Sequence, residues 1–132
     1  MQYQSSLSRA QLIDLATVQY FGSVDARNLD AAMACFHEEA LFTIQTAHTL
    51  HAGKPAIARM LRDFMAAYRT IIHRDFVCTV DPDNGRIAAS FVAELVDHQG
   101  ATTLLHNTNF WRVRGERFQE VYVYMSGVSP LV

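Results

Sequence analysis

In the stretch TIIHRDFVCTV, residues 70–80, an imidazole and a carboxylate fall two residues apart inside an apolar run. Read as a strand, the run places Ile71, His73, Asp75, Val77 and Thr79 on one face. A histidine in such a wall is either a core residue with its hydrogen bonds met or a general acid and base, since imidazole changes charge near neutral pH. Asp75 is a poor partner for it. Side chains two apart on a strand stand about 7 Å from each other, given the ~3.3 Å rise per residue.

Further along, Asn107, Asn109 and Trp111 share a strand face with Leu105, and His106, Thr108, Phe110 and Arg112 take the opposite face. Two amides on an apolar face destabilise the fold unless they are paired, which is a better pocket signal than a lone polar residue but does not by itself decide which face is concave. His106 on the other face competes with it. His48 and His51 are three apart in HTLH, in what reads as a loop with no third ligand, so no metal is expected. Cys35 and Cys78 sit in apolar surroundings outside any CxxC pattern and read as structural thiols in a reducing compartment.

The elements that must position these groups are legible from periodicity and stop signals. Ser8 and Gln11 form a capping box, Leu7 and Leu12 a hydrophobic staple, and Leu12, Ile13, Ala16, Tyr20 and Val24 an apolar helical stripe. This helix should end near Arg27, and Asn28 should cap a short second helix through Phe36. ALFTIQTA reads as a strand and HTLHAGKP as a loop or short strand pair. Pro55 opens a third helix to about Tyr68, with Ile57, Met60, Leu61, Phe64 and Met65 as its apolar side. Four strands follow, joined by DPDNG, DHQG and RGER turns, which is an antiparallel meander. Ile87, Ala89, Phe91, Ala93 and Leu95 form one face of the second of these. In the last, Val121, Val123 and Met125 suit the interior, which leaves Tyr122 and Tyr124 on the outer sheet face, where a second copy of the chain is the natural partner.

Helices segregated onto one face of an antiparallel sheet give an α+β fold, and a curved sheet around the long first helix leaves a conical cavity for a small molecule. The 132 residues fit a single domain, 1–132. A net charge of −2 without a basic run argues against a nucleic-acid partner. No signal peptide and no apolar run near the ~20 residues of a membrane span is read, so a cytoplasmic protein with no membrane partner is expected.

YFGSVDARNLDAAMACFHEEALF resembles the opening of SnoaL-like proteins in the nuclear transport factor two-like superfamily, and CFHEEALF carries that likeness most clearly. HAGKPAIARML resembles the glycine-led helix that follows there, and TIIHRDFVCTVDPDNGRIAASF the histidine-bearing strand and its hairpin. The likeness runs from about residue 8 to 127. It implies a cone-shaped, cystatin-like α+β barrel and a mostly apolar pocket.

Relatives in that superfamily include ketosteroid isomerase, scytalone dehydratase and bile-acid dehydratase. By resemblance to the isomerase, Tyr20 would donate to a substrate oxyanion and Asn109 would stand near its second donor. Its aspartate base, however, maps to Ile44, and an alkyl chain abstracts no proton. Scytalone dehydratase is similar at Asp25 and His73, and more loosely at His98 and Asn107, while its carbonyl-polarising tyrosine again maps to Ile44. The family register favours the asparagine face as the concave one.

The resemblance therefore implies a cofactor-independent lyase or isomerase for a small hydrophobic oxygenated molecule, with His73 as acid and base and Asp25 as its orienter. Tyr20 and Asn107 would be hydrogen-bond donors. Asn109, Trp111, His98 and Ile44 would line the pocket. A non-catalytic binding domain and an accessory module acting through the outer sheet face are the alternatives. One geometric objection stands against Asp25. At about 100° per residue, a continuous α-helix carries it well off the Tyr20 stripe, to the side of Asp14. Only unwinding after Val24 would swing it inward.

Overall fold

The computed structural model describes residues 4–132. The first helix begins as expected. The Ser8 side chain accepts the Gln11 N–H at 3.2 Å, and Gln11 Oε1 accepts the Ser8 N–H at 2.9 Å. It runs as α1 (Arg9–Asp14), a π-helical stretch (Leu15–Tyr20) and α2 (Phe21–Asp25). In the π stretch the Phe21 N–H reaches back five residues to the Ala16 carbonyl. Asn28 Oδ1 accepts the Ala31 N–H at 3.1 Å and caps α3 (Leu29–Met33). That helix stops short of Phe36, which instead opens the first strand.

The strands are β1 (Phe36–Ile44), β2 (Thr49–Ala52), β3 (Tyr68–Asp81), β4 (Arg86–Asp97), β5 (Thr102–Arg114) and β6 (Arg117–Tyr124). Helix α4 (Lys54–Ala67) lies between β2 and β3, with Pro55 in its first turn. One curved, unclosed six-stranded sheet results, in the order β2-β1-β6-β5-β4-β3. Its pairs are antiparallel except β1 with β6, which is parallel. The molecule is the α+β fold expected, a sheet wrapped around the first helix with two further helices.

The core lies between the sheet's concave face and the helices. Ile57, Met60, Leu61, Phe64 and Met65 of α4 are all buried, as are Ile87, Ala89, Phe91, Ala93 and Leu95 of β4. The concave face of β5 is the one carrying Leu105, Asn107, Asn109 and Trp111, each buried.

In β3 the simple alternation fails at Asp75. Arg74 pairs with Val92 and Val77 with Ser90, so Asp75 and Phe76 together face a single residue, Phe91. This is a β-bulge, and Asp75 adopts φ 60 within it. Beyond the bulge the faces exchange. Ile71 and His73 point inward, then Phe76, Cys78 and Val80 do, and Val77 is 68% exposed. The five-residue face from Ile71 to Thr79 therefore does not exist.

Candidate functional site

The centre of the site is a contact between the first helix and β3. Asp25 Oδ1 lies 2.6 Å from His73 Nδ1, and Asp25 Oδ2 accepts the His73 backbone N–H at 2.8 Å. The carboxylate thus holds both the ring and the backbone of one residue. An ionised carboxylate can only accept, so the proton between them sits on Nδ1 and a neutral ring keeps its lone pair on Nε2. The His73 side chain is 7% exposed and that of Asp25 24%.

The π-helical stretch removes the objection to Asp25. An extra residue held in a wider turn sets everything after it back by about one residue's rotation, roughly 100°. Asp25 moves from the solvent side to the flank of the buried stripe, facing β3, while the helix stays wound through Asp25. The same setback buries Phe21 beside Tyr20. Phe21 stacks on the His73 ring at 4.1 Å between centroids and 21° between planes, with Phe91 at 5.6 Å from the imidazole. Sequence reasoning missed Phe21, since only a break in the 3.6-residue period brings it in.

His73 opens onto an interior cavity. Its polar lining is His73, Tyr20, Asn107 and Asn109, within a wall of apolar side chains that includes Phe64, Phe91 and Met125. The space in it that admits the centre of a water molecule is only about 30 Å³. Asn107 Oδ1 and Asn109 Oδ1 are buried and have no protein partner among the described residues. Each orphaned group costs about 1–3 kcal/mol, a cost a ligand donor would remove. Burial, reinforced by the charges of Cys35 and Asp25, raises the Tyr20 pKa far above its ordinary value of 10.0, so its phenol acts as a donor.

The comparisons agree with this architecture. The family model for the SnoaL-like domain matches residues 4–128. The chain belongs to the SnoaL-like domain family. That places it in the nuclear transport factor two-like superfamily. A protein from Xanthomonas campestris designated a polyketide cyclase is 25% identical, with 88% of this chain and 90% of that one covered and a TM-score of 0.78. A protein from Novosphingobium aromaticivorans designated an aromatic ring hydroxylase is 22% identical over 91% and 92% of the two chains, with a TM-score of 0.78. A protein from Bacillus subtilis designated an isomerase is 12% identical over 91% and 90%, with a TM-score of 0.79. The last two likenesses bear on fold alone. No curated protein matches the sequence.

Within this SnoaL-like domain the remaining candidate residues fall outside the cavity wall. Ile44 is fully buried in the core but does not line the cavity. Trp111 lies deeper, stacked on Phe118 at 5.9 Å. The exposed His98 places Nε2 2.8 Å from the Ala66 carbonyl and closes the end of α4. His48 takes a left-handed turn position at φ 50, and His51 Nε2 lies 2.6 Å from the Leu131 carbonyl. Among the described residues, no group of three or more His, Cys, Asp and Glu is arranged to hold a metal. Nor is any helix of the structure long and apolar enough to cross a membrane.

Two positioning features had no sequence signal. Arg27, at φ 58, hydrogen-bonds the Met65 and Tyr68 carbonyls and ties the end of α2 to the start of β3. Pro130 and Leu131 complete the cavity wall from beyond β6.

Proposed function

We propose that this domain is a cofactor-independent lyase or isomerase that moves protons on a small, hydrophobic, oxygenated molecule held in the interior cavity. The observation that carries the proposal is the 2.6 Å contact between Asp25 and His73, which frees Nε2 for the ligand. Loss of a proton next to a carbonyl gives an enolate. The imidazolium formed at His73 can then protonate a β-hydroxyl as it leaves, or a second carbon. These are the dehydratase and isomerase outcomes of one arrangement. Asp25 orients the ring and stabilises its charged form. The Tyr20 phenol donates to a substrate oxygen, and the Asn107 and Asn109 side-chain oxygens accept from a substrate hydroxyl.

The test needs no named substrate. A panel of hydrophobic ketones and β-hydroxyketones is incubated in D2O, with deuterium at the α-carbon and loss of water followed by NMR. Wild type should exchange at least one class above the buffer rate. His73→Gln should lower that exchange by about 10²–10⁴-fold while remaining folded. Equal exchange by the variant would contradict the assignment.

The rival reading is a non-catalytic binding domain, favoured by Ile44 standing where the isomerase has its base. It expects His73→Phe to keep ligand affinity. We further propose a cytoplasmic homodimer formed through the outer sheet face. There Phe110 and Tyr124, 46% and 44% exposed, pack edge to face at 5.8 Å.

A further inference from the structure

The segment that follows β6 contributes part of the cavity wall. Past β6, Ser126 Oγ accepts the His106 N–H at 2.8 Å. Gly127 then passes so close to β5 that a Cβ there would stand 2.9 Å from Leu105 Cδ2. Val128 is 94% exposed, and the chain turns inward after it. Ser129 is buried, with its Oγ accepting the Leu131 N–H at 3.1 Å. Pro130 and Leu131 line the cavity, and the Leu131 carbonyl meets His51 Nε2 of β2. The segment is thus pinned to β5 at one end and to β2 at the other.

We propose that Gly127–Leu131 is a gate. Leu131 is its stopper, His51 is its latch, and Ser126 and Gly127 are the hinge. The inference rests on the interior cavity being the ligand site. A molecule of the proposed class needs more room than the space now open to water, so some wall must move. Most of the other walls are strand and helix residues whose displacement would break ladder or helical hydrogen bonds. Among the described residues, the segment after β6 has no ladder pairing. Among the described residues, the hydrogen bond that ties its far end to the rest of the fold is the one with His51, so little holds this part of the cavity wall in place. Gly127 allows the close passage over Leu105 that a side chain would obstruct.

The experiment uses 2-naphthol as the probe, followed at the Met125 methyl resonance because Met125 lines the cavity. Wild type, His51→Phe and Leu131→Ala are compared, with thermal unfolding showing that each is folded. His51→Phe removes the latch, and naphthol entry should accelerate about fivefold, as expected when one hydrogen bond of the closed state is lost. Leu131→Ala removes the stopper and should also accelerate entry. Equal entry rates in all three proteins, with Met125 responding in each, would overturn the gate and leave the cavity reading standing. No response of Met125 in any of them would overturn both.

Discussion

Each contact of His73 fits the proposed acid–base role in a separable way. Asp25 holds Nδ1, Phe21 stacks on the ring, and His73 lines the cavity. Tyr20 has a different character. Burial raises its pKa, which links it to stability at alkaline pH. The unfolded chain ionises this phenol at its ordinary value of 10.0, whereas the folded chain does so only at higher pH. Its contribution is therefore complete below pH 10 and is lost progressively above it. Between about pH 9 and about pH 11, wild type should lose roughly 1 kcal/mol more stability than Tyr20→Phe, as measured by urea unfolding. An identical loss in both proteins would place the Tyr20 ring in water.

At the scale of elements, two departures from regular geometry build the site. The π-helical stretch turns Asp25 toward β3, and the bulge at Asp75 exchanges the faces of β3 just after His73. Neither was legible in the sequence. Periodicity arguments assume 3.6 or 2 residues per repeat, and both features consist of one residue that violates the repeat. The capping box, the α4 core face and the inward face of β4 were legible because they obey it. His73 itself could be singled out, but its partner could not be derived from the helical wheel. It entered only through family resemblance.

The bulge can be tested directly. Asp75 holds φ 60, a conformation that glycine adopts freely and β-branched residues do not. Asp75→Gly should be nearly neutral in a urea titration, whereas Asp75→Val should cost about 1–2 kcal/mol. Equal stability for the two would mean that the bulge relaxes without cost.

For the whole molecule, the concave and convex faces of one sheet carry different proposals. The concave face holds the cavity. The convex face presents Phe110 and Tyr124, with the Arg112 and Glu120 ion pair beside them at 3.2 Å. If two copies meet there, Phe110→Glu and Tyr124→Glu should each reduce the sedimentation mass from two chains to one. Naphthol binding at Met125 should be unchanged by either substitution. A wild-type monomer, or a dimer that survives both changes, would refute this face as the interface. The Asn107 and Asn109 amides show how far whole-molecule reading could go from sequence. Their face was singled out by the cost of burying amides, but that their side-chain oxygens have no partner among the described residues could be seen only in three dimensions.

The most direct test of the central claim is the tautomer of His73, read from a long-range ¹H–¹⁵N spectrum of the ¹⁵N-histidine-labelled protein with the ring neutral. The geometry predicts a proton on Nδ1 and a bare Nε2, with this preference lost in Asp25→Asn. A proton on Nε2, or a spectrum that does not change when Asp25 is replaced, would contradict the account.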